Sequence, residues 1–343
     1  GKKDILDTRF NVYLENGEKL SMIPRTSDGQ LLFLLNNVAK MKKDTPLGSR
    51  IAEVHNGSSL FTGDAGSGES NARRYLIESD LVEAIIALPE NMFYNTGIGT
   101  YIWVLSNRKE ERRKGKIQLI DATAMKSPLR KNMGKKNCEL TEEIRAEILR
   151  IFMEMEESEV SKIFNNEEFG YWAVTVERPL RLRVFPERNI PDSVFRNADE
   201  RVEYEQAINK LPKDVPLDDW MAFAKATKLK AALLKKVRPY ITEKDPTAKP
   251  IDGEPDPDLR DTEIVPFTYE GGIEAFMKNE VLPYAPEAWV DEKKTQIGYE
   301  ISFTKYFYKP VELRSLDEIL ADLKALERET EGMMAEIIGG LEK

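Results

Sequence analysis

Cysteine and histidine are almost absent from this sequence. It holds one of each, Cys138 and His55, among 343 residues. A single cysteine forms no internal disulfide, and one cysteine with one histidine is too small a set for a Cys/His zinc site. No apolar run approaches the ~20 residues of a membrane span, and the N-terminal GKKDILDTRF shows no signal-peptide pattern. We therefore expect a cytoplasmic protein that uses neither a bound metal nor a membrane.

The signatures of nucleotide-phosphate loops are missing as well. Residues 56–70, NGSSLFTGDAGSGES, are rich in glycine but contain no G-K-[ST], and Asn71 stands where a dinucleotide fingerprint needs its third glycine. The glycines also lie well beyond the preceding strand pattern, too far for a tight dinucleotide turn. We interpret the stretch as the flexible rim of a site, ending in a helix start at Glu69 and Ser70.

The net charge of −9 is unevenly distributed along the chain. Residues 105–136 carry eleven basic side chains against three acidic ones, a net +8, whereas residues 137–170 carry ten acidic against three basic ones, a net −7. The overall charge argues against a protein that holds nucleic acid with its whole surface. The basic stretch is either a strip that faces phosphates or a solvated loop, and the sequence alone favours neither.

Two apolar, β-branched runs, Val82–Leu88 and Thr100–Leu105, stand at the centre of the pattern. Runs of this length bounded by Pro, Asn and Gly are typical of buried strands. The short connection leaves no room for a crossover helix, so the two strands should pair antiparallel. The connecting loop, Pro89–Gly99, contains two adjacent aromatic residues, which a simple turn would not need.

The flanking segments alternate between helix and strand patterns. A capping box of Ser27 and Gln30 opens a helix whose apolar face runs from Leu31 to Met41, ending near Lys43. With the central hairpin, this order is the back half of a doubly wound α/β sheet, in which sites lie beyond the carboxyl ends of parallel strands. Other predicted elements are strands at 49–55 and 116–122, a helix at 141–157, helices broken by proline over 197–240, and a last helix from Ser315.

Several motifs in this framework resemble one known family. Asn56–Phe61 (NGSSLF), Leu88–Gly97 (LPENMFYNTG), and FGY at 169–171 followed by VERPLR at 176–181 are similar to the modification (M) subunit of type I restriction–modification systems. That family consists of DNA methyltransferases that use S-adenosylmethionine and act on adenine N6. The resemblance runs from about Ser27 to the C-terminus. It implies a Rossmann-like methyltransferase sheet, double-stranded DNA as substrate, and the specificity (S) and restriction (R) subunits as partners.

The catalytic motifs of that family are not in this chain. Such enzymes need a Gly-rich cofactor loop and an (N/D)PP(F/Y) tetrapeptide, and Pro-Pro occurs nowhere here. The resemblance therefore implies the C-terminal part of a longer enzyme that methylates DNA for host protection, with no catalytic residue in this part. The expected division is residues 1–125, the end of the catalytic domain with the C-terminal half of its sheet; 126–242, mixed and helical; 243–263, an acidic Pro-rich linker or mobile loop; and 264–343, a region ending in a partner-docking helix.

The same resemblance suggests site residues. Phe33, in the first turns of its helix, is expected to contact the adenine of the cofactor, or else to be a core residue. Phe93 or Tyr94 is expected to stack on an adenine flipped out of the duplex, unless both rings pack under the loop. The expected pocket is completed by Asn56, Asn95 and Thr96 as polar groups and by Gly97 and Gly99, where the backbone can approach closely.

The last helix, from Leu316 to about Ile338, begins with a capping box of Ser315 and Glu318. A single apolar stripe follows, which needs a covering surface because an isolated helix is marginal in water. The stripe either docks on the S subunit, as the family implies, or folds back on its own domain. Its members are Leu316, Ile319, Leu320, Leu323 and Leu326, continued after Gly332 by Met333, Met334, Ile337 and Ile338.

Two other functions stay open at this point. One is a non-catalytic scaffold that keeps the second half of the fold and binds a partner protein. The other is a methyltransferase with an unrelated small substrate. The sequence upstream of Gly1 would discriminate, because an adenine methyltransferase should carry its tetrapeptide and its Gly-rich loop there. The DNA sequence that is recognised cannot be read from this chain, since the family leaves base reading to the S subunit.

Overall fold

The computed structural model describes residues 7–14, 17–308 and 315–341; in the last helix, side chains are described up to residue 328 and at residue 330. The chain forms two compact units, residues 1–302 and 303–343. Among the described helices, none is long and apolar enough to cross a membrane.

Helices and strands alternate through the first part of the larger unit, as the periodicity predicts. The elements are β1 (Asn11–Tyr13), β2 (Lys19–Ser21), α1 (Gln30–Ala39), β3 (Arg50–Asn56), α2 (Ser58–Phe61), α3 (Gly68–Glu78), β4 (Val82–Leu88), β5 (Thr100–Ser106), β6 (Lys116–Asp121), β7 (Ser127–Met133), β8 (Lys136–Glu139), α4 (Glu142–Glu154) and β9 (Ser161–Asn165).

The remainder of this unit has shorter strands around a group of helices. The elements are β10 (Gly170–Glu177), β11 (Pro179–Val184), α5 (Ala198–Asn209), α6 (Trp220–Thr227), α7 (Ala231–Ile241), β12 (Thr242–Lys244), β13 (Pro250–Pro255), β14 (Asp261–Pro266), α8 (Gly272–Phe276), β15 (Trp289–Val290) and β16 (Gln296–Tyr299).

The central sheet has five strands in the order β3-β5-β4-β6-β9. Strand β5 lies antiparallel between β3 and β4, so β3 and β4 run in the same direction, and β6 pairs parallel with β4. The predicted antiparallel hairpin of β4 and β5 is confirmed, and so is its place in a mixed α/β sheet. The inserted strand brings the ends of β3 and β4 to the same level, because Thr100 is opposite both Asn56 and Leu88.

Burial explains why β4 is apolar at every position except Glu83. All seven residues of β4 are buried, on both faces of the sheet. On one face, Ile86 and Ile120 pack with Ile148 and Phe152 from α4. Each buried leucine or isoleucine contributes about 1.5–3 kcal/mol by leaving water. This core fixes the sheet on which the loops at its carboxyl edge are mounted.

Helix α1 departs from its sequence prediction at both ends. Its N-cap is Gly29, with no side-chain cap, so the capping box predicted at Ser27 is wrong. Instead, the Asp28 carboxylate accepts a hydrogen bond from the Gln30 backbone N–H, and the Gln30 side chain turns toward β3. The helix ends at Ala39 rather than near Lys43, although Met41 is buried as expected.

The strands that follow β9 correct the expectation about the acidic residues 243–263. Pro179 begins strand β11, which pairs with β12 and β13. The acidic stretch 243–263, expected as a linker or mobile loop, instead supplies β13 and parts of β12 and β14. Strand β14 pairs with β10, which also pairs with β15 and β16. Helices α5–α7 enclose a separate core whose members include Trp220, Phe223, Leu229 and Leu233.

The smaller unit contains α9 (Phe303–Phe307) and α10 (Leu316–Leu341). The predicted capping box of α10 is confirmed: the Glu318 N–H donates to Ser315 Oγ at 3.2 Å, and the Ser315 N–H donates to the Glu318 carboxylate at 2.8 Å. The first five residues of the stripe, Leu316 to Leu326, are 42–74% exposed. The side chains of Met333, Met334, Ile337 and Ile338 lie outside the described residues.

Candidate functional site

The site is built at one edge of the five-stranded sheet, which we call the carboxyl edge. Strands β3, β4 and β6 run in the same direction, and they end here at Asn56, Leu88 and Asp121. The three segments that follow these ends are residues 57–67, residues 89–99 and the β7–β8 hairpin. The sequence predicted the first two at this edge, and the structure brings them together there.

A polar network holds Asn56 in place at the end of β3. Gln30 Nε2 donates to Asn56 Oδ1 at 2.8 Å and to Ser58 Oγ at 2.7 Å, while the Asn56 N–H donates to Gln30 Oε1 at 3.1 Å. Asp28 closes the network by accepting from Gln30 Nε2 and Ser58 Oγ. Partial burial raises the pKa of Asp28, but the hydrogen bonds from Ser58 and Gln30 outweigh it and leave the pKa below its usual range. Asn56 is therefore tied to the start of α1.

The loop at 89–99 presents one aromatic ring to solvent and half-buries the other. The Tyr94 side chain is 59% exposed, and Phe93 is half-buried. Asn95 is exposed and Thr96 half-buried, with Thr96 Oγ1 accepting from the Ile98 N–H at 3.4 Å. Tyr94 is thus the ring that a ligand at this edge can reach without a change in the loop.

Two backbone features shape this loop. Asn91 adopts a left-handed conformation with φ of 59°, which an asparagine tolerates better than most residues. Its side chain lies close to Gly97, where an added Cβ would stand 2.7 Å from Asn91 Oδ1. Gly99, by contrast, faces open space. The glycine at 97 therefore serves the internal packing of the loop, while Gly99 leaves room beside it.

The hairpin of β7 and β8, which the sequence reasoning missed, packs against this loop. The Lys135 N–H donates to the Tyr94 carbonyl at 2.9 Å, and the Asn137 N–H donates to the Asn91 carbonyl at 3.1 Å. The Lys136 ammonium lies 5.4 Å from the centroid of the Tyr94 ring, within cation–π range. Gly134, with φ of +65°, makes the turn and sits so close to the Tyr94 carbonyl that a Cβ would clash. The hairpin thus supports Tyr94 through both backbone and side chain.

Tyr101, at the start of β5 on this edge, was also missed. An added Cβ on Gly57 would lie 3.3 Å from the Tyr101 ring, so Tyr101 covers the start of the rim after β3. Burial raises the pKa of Tyr101, and the carboxylates of Asp121 and Glu90 raise it further. The phenol is therefore neutral at ordinary pH and stands near both acidic groups. The signal for Tyr101 in the sequence was its position in the alternating pattern of side chains along β5.

The rim itself is fixed by Arg73, which is fully buried in α3. Its guanidinium donates to the carbonyls of Tyr299, Ser59, Thr62 and Gly63, at 2.6–3.4 Å. Burial lowers its pKa to about 10, so the group stays charged at neutral pH. Four carbonyl acceptors satisfy a buried cation that has no carboxylate hydrogen-bonded to it. Residues 57–63 are therefore an ordered rim rather than the flexible one expected.

Phe33 lies on α1, the helix whose first turn is bonded to Asn56. Its side chain is 70% exposed, so the alternative that Phe33 is a core residue is wrong. Contact between this ring and a cofactor stays a prediction. In the described part of the chain, no group of three or more His, Cys, Asp or Glu side chains is arranged to hold a metal ion.

Comparison with known proteins adds independent information. A family model described as N-6 DNA Methylase matches residues 6–177, half of the chain. The MjaVII type I restriction enzyme methylase subunit of Methanocaldococcus jannaschii is 39% identical over 74 residues, 22% of this chain and 12% of that protein. The MjaIX methylase subunit of the same organism is 33% identical over 107 residues, 31% of this chain and 18% of that protein.

Among solved structures, a type I restriction-modification system methyltransferase subunit from Streptococcus thermophilus is similar. The similarity covers 49% of this chain and 31% of that one, with a TM-score of 0.38 and 24% identity. The matched part thus spans less than a third of the length of each of these three relatives.

Proposed function

We propose, from the premise that this chain belongs to the N-6 DNA methylase family, that it is the C-terminal part of the modification subunit of a type I restriction–modification system. The complete subunit would transfer a methyl group from S-adenosylmethionine to adenine N6 in double-stranded DNA, in the cytoplasm, and so mark host DNA. The activity, the cofactor and the partners of the whole protein are all part of this proposal.

The observation that carries the proposal is the carboxyl edge of the sheet. An exposed ring, Tyr94, stands there on a loop that the β7–β8 hairpin supports, and a hydrogen-bonded Asn56 ends β3 at the same edge. A base removed from a duplex loses stacking and needs a ring to replace it, and one aromatic contact returns about 1–3 kcal/mol. In our proposal Tyr94 stacks on the flipped adenine, and Phe93, which is half-buried, holds the loop. Asn95 and Thr96 offer polar contacts to the base edge.

The same edge offers one feature that fits the cofactor. Phe33 presents an exposed ring at the start of α1, where it can pack on an adenine group. S-adenosylmethionine supplies the electrophilic methyl group when it is bound. This chain contains neither a Gly-rich cofactor loop nor the (N/D)PP(F/Y) tetrapeptide that orients the target amine. We therefore expect residues 1–343 alone to bind the cofactor weakly or not at all, since methyl transfer needs donor and acceptor held in line. Calorimetric titration that gives a micromolar Kd for this chain would contradict that expectation.

The partner surface in our proposal is helix α10. Its stripe from Leu316 to Leu326 is exposed over five apolar residues, and we propose that the S subunit covers it. The R subunit and duplex DNA complete the assembly. Deletion of residues 315–343 should abolish co-purification with the S subunit and leave the thermal melting of the remaining chain unchanged. Retained co-purification would contradict this docking role, and so would general unfolding.

Mass spectrometry of DNA tests the proposed function itself. The full-length subunit should be assembled with its S subunit, supplied with S-adenosylmethionine and duplex DNA, and the product nucleosides analysed. We expect N6-methyladenine as the product, with a strong loss of product for Tyr94→Ala. Tyr284→Ala, at a ring that is 88% exposed between α8 and β15, should cause no loss. Methyl groups on cytosine, or none on DNA, would contradict the proposal and favour the scaffold alternative.

A further inference from the structure

The β7–β8 hairpin, residues 126–139, carries a concentration of unpaired positive charge. Residues 126–136 contain five basic side chains and no acidic one, in a protein whose net charge is −9. In the described residues none of the five lies within an ion-pair distance of a carboxylate, and four of them are exposed while Lys136 is half-exposed. The five are Lys126, Arg130, Lys131, Lys135 and Lys136.

Their lack of partners contrasts with the basic residues earlier in the same +8 stretch. Lys109 is buried against Asp80, and Arg113 is buried against Gln118 and the Phe152 carbonyl. Arg112 donates to the Glu110 carboxylate and to two carbonyls at the end of α4. The cations before β6 thus form hydrogen bonds and ion pairs within the fold, whereas those after β6 are available to bind a ligand.

The hairpin is also fixed in position relative to the candidate base pocket. Two backbone hydrogen bonds join it to the 89–99 loop, at Tyr94 and at Asn91, and Lys136 lies over the Tyr94 ring. The turn at Gly134 is glycine-dependent because its Cβ would clash with the Tyr94 carbonyl. A charged hairpin held this way cannot swing away from Tyr94 without breaking both bonds.

We infer that this hairpin binds the phosphates of double-stranded DNA on either side of the base that Tyr94 receives. The inference rests on the proposed function for the identity of that base. Five cations spread along a hairpin, from Lys126 before β7 through the turn at Lys135 to Lys136 on β8, suit a row of phosphates. Phosphates lie about every 1.7 Å along a duplex axis when both strands are counted. Arg130, Lys131 and Lys135 are the phosphate-binding residues, and Lys136 positions Tyr94 as well. An acidic partner protein is the alternative occupant of the same charge.

Salt-dependent binding of this chain to a labelled duplex of generic sequence tests the inference. The variant replaces Arg130, Lys131 and Lys135 by Gln, and the matched control replaces the exposed Lys40, Lys42 and Lys43 by Gln. The control lysines lie at the opposite edge of the sheet, where Lys42 is bonded to Ser49. Both variants lose three charges, so only the position of the charge differs. Fluorescence anisotropy between 50 and 200 mM salt gives Kd and its salt slope.

Each phosphate contact contributes a slope of about 0.9 and about fivefold in affinity at 0.15 M salt. We therefore expect the hairpin variant to lose roughly 2.7 from the magnitude of the slope and on the order of a hundredfold in affinity. In the control variant, the salt slope and the affinity should each change by no more than about a third of these amounts. Melting curves of both variants should match the unchanged chain, which shows that folding is intact.

Equal salt slopes for the hairpin variant and the control would overturn the inference. Failure of the chain without substitutions to bind the duplex would overturn it as well. Unaltered duplex binding by the hairpin variant would favour the acidic partner protein. The two proposals fail separately. A chain that binds DNA through the hairpin but whose complete enzyme makes no N6-methyladenine overturns the proposed function alone. If the complete enzyme makes N6-methyladenine but the salt slope of DNA binding does not depend on the hairpin charges, the inference alone is overturned.

Discussion

The two edges of the five-stranded sheet are both rich in basic residues, but they use them differently. At the amino edge, Arg108, Lys109, Arg112 and Arg113 connect β5 to β6, and each donates to a carbonyl or a carboxylate. At the carboxyl edge, the five cations of the β7–β8 hairpin form no ion pair with any described residue. The number of basic residues is similar at the two edges, whereas the number of internal acceptors is not. Internal acceptors distinguish a cation that holds the fold from one that is available to a ligand.

Other side chains near the two edges show the same contrast in burial. Glu83 is fully buried beside Arg50 near the amino edge, with 3.0 Å between the carboxylate and the guanidinium. Tyr94 and Phe33, near the carboxyl edge, keep more than half of their surface in water. Both rings are accessible to a ligand at this edge. The comparison therefore predicts that substitutions at the amino edge lower the stability of the fold, whereas substitutions at the carboxyl edge weaken binding.

The largest expected effect is loss of stability at the amino edge. Arg113→Met leaves Gln118 and the Phe152 carbonyl without their buried donor and removes a cation near the buried Glu83. We expect the free energy of unfolding to fall by about 3 kcal/mol. Lys131→Met at the carboxyl edge is the matched control, and it should stay within about 0.5 kcal/mol of the unchanged chain. Urea denaturation measures both, and equal losses would remove the distinction between the edges.

A smaller effect is expected for cofactor binding. Phe33→Ala in the full-length subunit should raise the Kd for S-adenosylmethionine several-fold, about 1 kcal/mol, because the adenine of the cofactor loses the ring on which it packs. Affinity for DNA should not change. Leu47→Ala is the control at the amino edge, where Leu47 is 90% exposed. Calorimetry measures the cofactor, and anisotropy measures the DNA. Parallel losses of both affinities for Phe33→Ala would indicate general destabilisation instead.

The smallest effect is a pH dependence at His55, a buried residue one position before the end of β3. Burial lowers its pKa below the usual value, against the attraction of Glu53, whose carboxylate lies 3.2 Å from Nε2. The folded state therefore binds fewer protons than the unfolded state, so stability falls as pH drops below about 6.5. His55→Gln should reduce this decline between pH 7 and 5.5 by less than about 1 kcal/mol. Thermal melts at both pH values measure it, and a variant with an unchanged decline would exclude His55 as its source.

Local signals in the sequence were enough for the parts of the fold that depend on local chemistry. The β4–β5 hairpin follows from two apolar runs with a short connection, and the start of α10 follows from its capping box. At α1 the same capping signal failed, because the Gln30 side chain is drawn to Asn56 on β3. A tertiary hydrogen bond decided the cap, and a sequence read locally does not contain it.

Charged segments were the least predictable part of the chain. Residues 243–263 were expected as a linker or mobile loop because they are rich in acidic residues and proline, yet Lys244 binds Asp256 and Asp258, and Arg260 binds the buried Glu177. The carbonyl acceptors of Arg73 include Tyr299, more than two hundred positions away. The role of a charge depends on groups that the fold brings together. Strand order placed residues 57–67 and 89–99 at the carboxyl edge, where the structure has them, and the hairpin that supports the second segment was missed for the same reason.

Fluorescence of 2-aminopurine at the mapped target adenine, in the complete enzyme with its S subunit, is the most direct test of the carboxyl edge as a base pocket. The unchanged enzyme should give the bright signal of an unstacked, flipped base, since extrusion from the duplex removes quenching by neighbours. Tyr94→Ala should reduce the ratio of flipped to stacked base by roughly fivefold to a hundredfold, as the loss of one stacking contact of about 1–3 kcal/mol requires. Tyr284→Ala should leave the signal as it is. If neither Tyr94→Ala nor Phe93→Ala alters the signal, the loop does not hold the base and the account of this edge is wrong.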